Sequence, residues 1–264
     1  MAICNVTPDS FSDGGQHESV AMALQFAEQA QLDGATIFDI GGESTRPGAT
    51  PVAAGRELAR VIPVVEEVCS RFPDLIVTID TVKADVARAA LRAGAHAVND
   101  VSGGRLDAAM FDVVTEHGAG MVVMHSRGGV PDMASLAHAE YDDDVVAQVC
   151  GELLTQVTRA RLSGLTDDAI VLDPGIGFAK TSAHSLALLR GLARVVSLGF
   201  PVLVGASRKR LVGELTGVVD PAQRVVGSAV VHAIAAQRGA AIIRTHDVRA
   251  TREALAVAVA LEKR

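Results

Sequence analysis

The stretch Ile170-Val171-Leu172-Asp173-Pro174-Gly175-Ile176-Gly177-Phe178 decides the fold, because it shows in one place a plan that the chain repeats. An apolar run ends in a carboxylate, Asp173, and a turn rich in Pro and Gly then leads the backbone away. Eight short apolar runs follow this plan, and polar residues stand at their carboxyl ends: Asn5, Asp39, Asp80, Asn99 with Asp100, His125, Asp173, Ser207 to Lys209, and Arg244 with His246. Each run has the length of one strand.

Runs of Val, Ile and Leu without polar alternation are typical of strands buried on both faces, as in a parallel sheet covered by helices. Helical periodicity fills the intervals between them: 19–33, 53–71, 84–93, a segment ending near 117, 142–162, 183–198, 223–237 and 251–262. Eight strands that alternate with helices predict an α/β fold, a single (β/α)8 TIM barrel formed as one domain by residues 1–264. The polar run ends would then lie together on the C-terminal rim, where such barrels have their active sites.

The composition narrows the class of protein. Hydrophobic residues make up 49% and aromatic residues 3% of the chain, so Val, Leu, Ile and Ala must fill the barrel core. The net charge of −7 argues against nucleic acid as a partner, because phosphate backbones need a clustered basic surface.

The cysteines and the apolar runs indicate the compartment. Cys4, Cys69 and Cys150 are odd in number and lack ligand spacing, which indicates free thiols in a reducing compartment, and we expect the cytoplasm. No apolar run is long enough for a membrane span and the start does not resemble a signal peptide, so we expect no membrane partner.

Two acidic run ends predict a site for a ligand that presents N–H groups. Asp80 and Asp173 should point toward the rim, with Asn99 between them in chain order. Carboxylates accept hydrogen bonds, so they suit either a heterocycle with amino and ring N–H donors or a metal ion. Lys209 is placed to donate to an oxygen or nitrogen of the same ring.

The first and last runs predict an anion site. Asn5, Arg244 and His246 end neighbouring strands of a closed barrel. Cationic side chains suit phosphate oxygens, and an amide oxygen suits a hard cation such as Mg²⁺. Because barrel phosphate sites often lie after strands seven and eight, Arg208 and Lys209 fit the same place.

Several polar residues have a plainer interpretation. Asp39 is expected to bridge layers of the barrel, and Asp100 is equally compatible with that role and with ligand binding. The segment 41–48 is either a simple connection or a ligand loop in which Arg46 binds an anion, and the ligand loop is favoured. The apolar helix over 223–237 either packs deeply or is shared with another subunit. The remaining histidines are expected on the surface or in the core: His17, His96, His117, His138, His184 and His232.

Six sequence blocks resemble the signature blocks of the dihydropteroate synthase family, and they occur in that family's order. They are Asn5-Val-Thr-Pro-Asp-Ser-Phe-Ser-Asp-Gly-Gly15, Asp39-Ile-Gly-Gly-Glu-Ser-Thr-Arg-Pro-Gly48, Asn99-Asp100, Asp173-Pro-Gly-Ile-Gly-Phe178, Ser207-Arg-Lys209 and Arg244-Thr-His-Asp247. The likeness extends from Met1 to the last predicted helix.

The resemblance implies a transferase of folate biosynthesis, which condenses 6-hydroxymethyl-7,8-dihydropterin diphosphate with 4-aminobenzoate to give 7,8-dihydropteroate and diphosphate. It further implies a dissociative substitution, a Mg²⁺ ion, competition by sulfonamides for the aminobenzoate site, and a homodimer. Two alternatives stay open. One is a non-catalytic pterin-binding paralogue, and the other is a corrinoid-type pterin methyltransferase, which would not need the cations after the last two strands.

The resemblance also implies a role for each matching residue. Catalysis would involve Asn5, Asp9, Lys209, Arg244 and His246. The pterin would contact Asp80, Asn99, Asp173 and Lys209. The diphosphate would contact Asn5, Thr45, Arg244 and His246, and Asn5 would also bind the metal. The 4-aminobenzoate would be surrounded by Phe11, Ser12, Thr45, Arg46, Pro47, Phe178, Lys180, Ser207 and Arg210.

Three features depart from the family pattern. Ala2 stands where a glycine is usual, and Arg210 stands where many members have a serine near the aminobenzoate carboxylate. The segment that usually precedes the first strand and closes the bottom of the barrel is short or missing. We therefore expect an effect on stability rather than on chemistry.

Overall fold

The computed structural model describes residues 1–7, 15–44 and 50–262. Its strands are β1 (Ala2–Asn5), β2 (Ile37–Gly41), β3 (Ile76–Asp80), β4 (Ala97–Asp100), β5 (Gly120–Met124), β6 (Ile170–Asp173), β7 (Leu203–Val204) and β8 (Ile242–Ile243). Its α-helices are α1 (Gly15–Leu32), α2 (Ala54–Arg71), α3 (Ala84–Arg92), α4 (Met110–Glu116), α5 (Val145–Leu162), α6 (Ser182–Arg190), α7 (Leu192–Val196), α8 (Arg210–Thr216), α9 (Val225–Gln237) and α10 (Val248–Glu262). Short 3₁₀ turns, Asp167–Ala169 and Pro221–Gln223, precede β6 and α9.

The strands form a closed parallel barrel. Strands β1 to β6 pair in chain order, and β7 pairs with β8. Leu172 donates its backbone N–H to Pro201 O at 2.9 Å, which joins β6 to the start of β7. Ile3 donates to Thr245 O at 3.1 Å, which joins β8 to β1. The predicted (β/α)8 barrel is confirmed.

The strand register places the predicted polar residues in layers inside the barrel. Asn5 pairs with Gly41, Gly41 with Asp80, and Asp80 with Asn99, so these four positions form one row at the carboxyl ends. Asp39 lies in the row below, next to Thr78. Since paired positions in a parallel sheet face the same side, the upper row turns its side chains toward the rim and Asp39 supports it from beneath.

The core is built from aliphatic residues, as the composition requires. Its largest fully buried side chains include Phe38, Ile40, Ile79 and Leu172. Phe26 of α1 packs against Phe38 with ring centroids 5.5 Å apart, one of few aromatic contacts. Among the helices that the structure describes, none is long and apolar enough to cross a membrane.

The helix predictions differ most from the structure in two places. The helix predicted over 183–198 is divided at Gly191 into α6 and α7, because glycine is a poor helix former. Helix α8 was not predicted at all. It has only seven residues and an internal Gly213, so its periodic signal is weak, and it is held by burial of Leu211 and Val212.

Candidate active site

A buried carboxylate supports the rim from below. Asp39 is 0% exposed, and its Oδ1 accepts a hydrogen bond from Thr78 Oγ1 at 2.5 Å. Its Oδ2 accepts bonds from Asn99 Nδ2 at 2.9 Å and Arg244 Nε at 2.6 Å. Asp39 therefore bridges the barrel layers, as the sequence indicated. Because the carboxylate accepts, the amide nitrogen of Asn99 must face it, which leaves Asn99 Oδ1 for another donor.

Arg244 connects two carboxylates. Its Nη2 donates to Asp80 Oδ2 at 2.6 Å, while its Nε is held by Asp39. Burial raises the pKa of Asp80 to about 7, and the Arg244 guanidinium opposes that rise. On the sequence alone, Asp80 belongs to a cluster that suits a heterocycle and Arg244 to a separate anion cluster. The structure joins the two clusters into one.

The turn after β6 brings three predicted residues together. Asp173 Oδ1 accepts the backbone N–H of Gly175 at 2.7 Å. Lys209 donates from Nζ to Ile176 O and lies 4.5 Å from the centroid of the Phe178 ring. Burial raises the pKa of Asp173, with Lys209 opposing, and burial lowers the pKa of Lys209 to about 8. These charges lie close enough to influence each other.

The residues after β7 and β8 are also linked. The His246 backbone N–H donates to Ser207 Oγ at 3.1 Å, and its Nδ1 lies 3.0 Å from the same oxygen. Arg208, which the sequence placed at the anion site, instead donates from Nε to Asp247 Oδ2 at 3.0 Å. The Arg208 guanidinium is paired with Asp247, and a contact between Arg208 and an anion stays a prediction.

Lys180 does not lie on the open face of the turn. It is 0% exposed, and its Nζ is 2.8 Å from His125 Nδ1 and 3.0 Å from Phe178 O. Arg210 donates from Nη2 to Lys180 O at 3.0 Å and is itself exposed. The structure thus turns the Lys180 ammonium into the barrel wall. A direct contact between Lys180 and aminobenzoate stays a prediction, and Arg210 is better placed for such a contact.

Several predicted site residues lie outside the described residues: Asp9, Phe11, Ser12, Thr45, Arg46 and Pro47. Asn5 is described and is half-buried at the end of β1. No group of three His, Cys, Asp or Glu within the described ranges could hold a metal. A metal contact from Asn5 stays a prediction.

Sequence reasoning missed the interactions behind the rim. His125 stands at a strand end, a position that by itself predicts no role, and its Nε2 lies 3.0 Å from Glu152 Oε2. Glu152 lies within α5 and gave no signal in the sequence. Asp100 accepts the backbone N–H groups of Ser102 at 2.7 Å and Gly104 at 2.9 Å, which favours a structural role.

A groove of about 780 Å³ lies away from the rim, between α1 and α2. Leu24, Glu28, Pro63 and Phe72 are among its lining residues. The convergent acceptors and cations that a substrate needs lie instead at the rim, which we take as the functional site.

Comparison with known proteins agrees with this geometry. Residues 1–246 match the family described as pterin binding enzyme. The dihydropteroate synthase of Mycobacterium leprae (strain TN) is 45% identical over 262 residues, which cover 97% of this chain and 91% of that protein. The Xanthomonas albilineans dihydropteroate synthase with 4-aminobenzoic acid has a TM-score of 0.92 at 45% identity, covering 100% of this chain and 93% of that one. The Yersinia pestis dihydropteroate synthase in a sulfonamide drug complex has a TM-score of 0.92 at 41% identity, covering 100% and 94%.

Proposed function

Because this chain belongs to the dihydropteroate synthases of the pterin-binding enzyme family, we propose that the C-terminal rim of its barrel binds both substrates of that reaction. The chain is a transferase of folate biosynthesis. It condenses 6-hydroxymethyl-7,8-dihydropterin diphosphate with 4-aminobenzoate and releases 7,8-dihydropteroate and diphosphate. A C–O bond to diphosphate is exchanged for a C–N bond to the arylamine.

The pterin lies among Asp80, Asn99, Asp173 and Lys209. The observation that carries this assignment is the pair of acceptors that the rim leaves for a ligand: Asn99 Oδ1 and the second oxygen of Asp173 have no hydrogen bond to any described residue. A pterin edge presents amino and ring N–H groups, which need acceptors of this kind. Lys209 can donate to a hydrogen-bond acceptor of the same ring, an oxygen or a nitrogen.

The diphosphate lies toward β8 and β1, next to His246, Arg244 and Asn5. Arg244 uses its Nε and Nη2 on Asp39 and Asp80, so it acts on the leaving group mainly through its charge. A lone amide oxygen from Asn5 fits Mg²⁺, which is usually held by few protein ligands together with substrate phosphates and water. When bound, Mg²⁺ would neutralise charge on the departing diphosphate.

The substitution is dissociative. Diphosphate departs with the bonding electron pair, and the positive charge on the methylene carbon is shared with the pterin ring. The amine lone pair of 4-aminobenzoate then forms the new bond, and its proton passes to water. A protonated arylamine is acidic, so no strong general base is needed, and the protein contributes orientation and fixed charge.

The 4-aminobenzoate lies beside Phe178, with Ser207 and Arg210 toward its carboxylate. Arg210 is exposed, donates from Nη2 to Lys180 O and has its Nε 3.5 Å from Glu214 Oε1, so its remaining guanidinium N–H groups are left for an anion. Sulfonamides, which resemble 4-aminobenzoate, compete for this site.

Diphosphate release tests the function directly. The 264-residue chain is given pterin diphosphate and Mg²⁺, with and without 4-aminobenzoate. Release that depends on 4-aminobenzoate is expected. A folded chain that binds the pterin and releases nothing would instead be a non-catalytic paralogue.

A pair of matched variants tests the site. Asp173→Asn should raise the KM for pterin diphosphate, because one acceptor becomes a donor. Asp167→Asn makes the same chemical change in an exposed pair with Arg161 and should leave the KM unaltered. Equal KM values in both variants would remove Asp173 from the pterin site.

The chain forms a homodimer in the cytoplasm. Apolar side chains on α9 and α10 face solvent in the single chain, among them Val226, Val230 and Leu261, which are 76%, 52% and 77% exposed. Such a face is typical of a subunit interface. The three cysteines are free, as in a reducing compartment.

A further inference from the structure

A line of three charged or titratable side chains, Glu152, His125 and Lys180, lies behind the turn that carries Asp173. His125 Nε2 is 3.0 Å from Glu152 Oε2, and His125 Nδ1 is 2.8 Å from Lys180 Nζ. His125 and Lys180 are 3% and 0% exposed, so substrate does not reach them in this conformation. We call this line the Glu152–His125–Lys180 chain.

The chemistry of the donors fixes the direction of the hydrogen bonds. The Glu152 carboxylate only accepts, so the proton of the neutral His125 ring must lie on Nε2 and point to Glu152, and His125 Nδ1 then accepts from Lys180 Nζ. Arg127 also donates from Nη2 and Nε to the two oxygens of Glu152. Burial alone would raise the pKa of Glu152, but the bonds from His125 and Arg127 lower it to about 2. Glu152 is therefore a stable anion at the outer end of the chain.

The inner end of the chain contacts the turn. The acceptors around Lys180 Nζ are His125 Nδ1, Phe178 O at 3.0 Å and His125 O at 3.5 Å, one for each N–H of an ammonium. His125 also donates its backbone N–H to Asp173 O at 2.8 Å. Gly175 has a φ of 67°, and a Cβ there would overlap His125 O and lie 3.3 Å from Lys180 Nζ. The turn is thus closed tightly over the ammonium.

We infer that Lys180, held in place by His125 and Glu152, is a positioning residue for the pterin site: its N–H donors fix the turn between Asp173 and Phe178 and place a cation behind Asp173. This inference rests on the proposed contact of Asp173 with the pterin. It gives Lys180 a role without requiring it to touch either substrate.

The charges around Asp173 support this role. Burial raises the pKa of Asp173, while Lys209 after β7, the Gly175 N–H, Arg244 after β8 and Lys180 after β6 all oppose the rise. His125 adds no positive charge at neutral pH, because burial and the Lys180 charge lower its pKa to about 4. Burial also lowers the pKa of Lys180 well below its usual range, and Asp173 opposes that fall. The three acceptors around Nζ can each receive one N–H of an ammonium group, so the geometry favours the charged form. Removal of the Lys180 charge therefore raises the pKa of Asp173 further. As the pH falls, a smaller fraction of Asp173 is then ionised and able to accept the pterin N–H groups.

The test is calorimetric binding of pterin diphosphate with Mg²⁺ between pH 5.5 and 8.5, in wild type and three variants. The acid limit of binding is the pH below which the affinity falls because Asp173 takes up a proton. In Lys180→Met this limit should move up by about one pH unit, so binding below it should be about tenfold weaker than in wild type. Lys180→Arg keeps the charge and should lie closer to wild type. Lys83→Met removes a different lysine, which is partly buried and paired with Glu43 and Glu57, and should keep the wild-type acid limit.

An acid limit in Lys180→Met that coincides with the wild-type limit would overturn the inference. A wild type that binds no pterin diphosphate at any pH would refute the proposed function instead. Should Lys180→Met fail to fold, ¹⁵N NMR of histidine-labelled wild type decides. A proton on His125 Nε2 at neutral pH is expected, and a proton on Nδ1 would exclude an ammonium donor at Lys180.

Discussion

At the scale of single residues, the Arg244 guanidinium holds the rim together. Replacement of Arg244 by Met leaves Asp39, which is 0% exposed, and Asp80 without their shared cation. Breaking a buried ion pair from one side typically lowers the free energy of unfolding by about 3–5 kcal/mol. We expect a loss of this size for Arg244→Met in urea unfolding at pH 7.5.

The pH dependence of that loss distinguishes charge from packing. Without Arg244 the folded-state pKa of Asp80, already raised by burial, rises further above its unfolded value. The folded state then keeps a proton that the unfolded state releases, so stability falls as the pH rises. The loss should be smaller at pH 5 than at pH 8, and an equal loss at both would contradict this account. Arg161→Met, in an exposed pair with Asp167, should change stability by less than about 1 kcal/mol.

The sequence indicates which residues reach the rim but not which of them bond. The repeated pattern shows where each strand ends, and that position alone marks four residues as rim residues: Asp80, Asn99, Asp173 and Arg244. The bond between Arg244 and Asp39 joins residues 205 apart, and no local pattern records it. Arg208 and Lys209 looked equivalent for a similar reason, yet one pairs with Asp247 and the other faces Phe178.

At the scale of elements, the turn after β6 depends on the absence of a side chain at Gly175. Gly175 and Gly118 both have left-handed backbones, with φ of 67° and 59°. A Cβ on Gly118 would meet nothing within 4 Å, whereas one on Gly175 would overlap His125 O. Gly118→Ala should therefore lower the free energy of unfolding only by the backbone strain, about 1–2 kcal/mol.

Gly175→Ala adds a steric displacement to the same strain. The turn must move away from His125, and Asp173 moves with it, so pterin diphosphate should bind more weakly in this variant alone. Urea unfolding and calorimetry of both variants measure the two effects. Identical stability and affinity in the two variants would show that the close approach has no consequence.

The elements most visible in the sequence are the long, regularly patterned ones. Helices α2 and α5 begin within three residues of their predicted starts and end as predicted, because each buries a continuous apolar stripe. Strands β7 and β8 have only two residues each, and the barrel is closed there by isolated bridges. The number of apolar runs predicts that the barrel closes. It does not predict that the pairing at β7 and β8 is so short, because that depends on backbone geometry that the pattern does not contain.

At the scale of the whole molecule, the apolar face of α9 and α10 predicts the oligomeric state. Val230→Asp puts a charge into this face and should convert the dimer into a monomer, because a buried unpaired carboxylate is strongly unfavourable. Leu162→Asp places the same charge at an 84% exposed apolar position on α5 and should leave the dimer intact. Sedimentation velocity measures both, and a monomeric wild type at micromolar concentration would refute the dimer.

Acid stability is the property that belongs to the fold as a whole, because it adds the effects of buried groups in separate elements. His232 in α9 is 0% exposed, and its Nδ1 lies 3.2 Å from Thr251 Oγ1 of α10. Its Nε2 has no partner among the described residues. Burial lowers the pKa of His232 to about 4, as it does for His125.

The sign of the effect follows from where each state takes up its proton. Below the ordinary histidine pKa of about 6.5, the unfolded chain gains a proton at His232, and the folded chain does not until about pH 4. The stability contributed by this residue is thus fully present above about pH 6.5 and is lost as the pH falls, by roughly 3 kcal/mol.

His232→Gln should remove the part of the pH dependence of stability that is due to this residue, and the part due to His125 should remain. Thr251→Val keeps the imidazole and removes the hydroxyl group that contacts both His232 and Thr245, so it should lower stability about equally at pH 7 and pH 5. Urea unfolding at several pH values measures these slopes, and an unchanged slope in His232→Gln would show that this histidine is not the buried group that titrates.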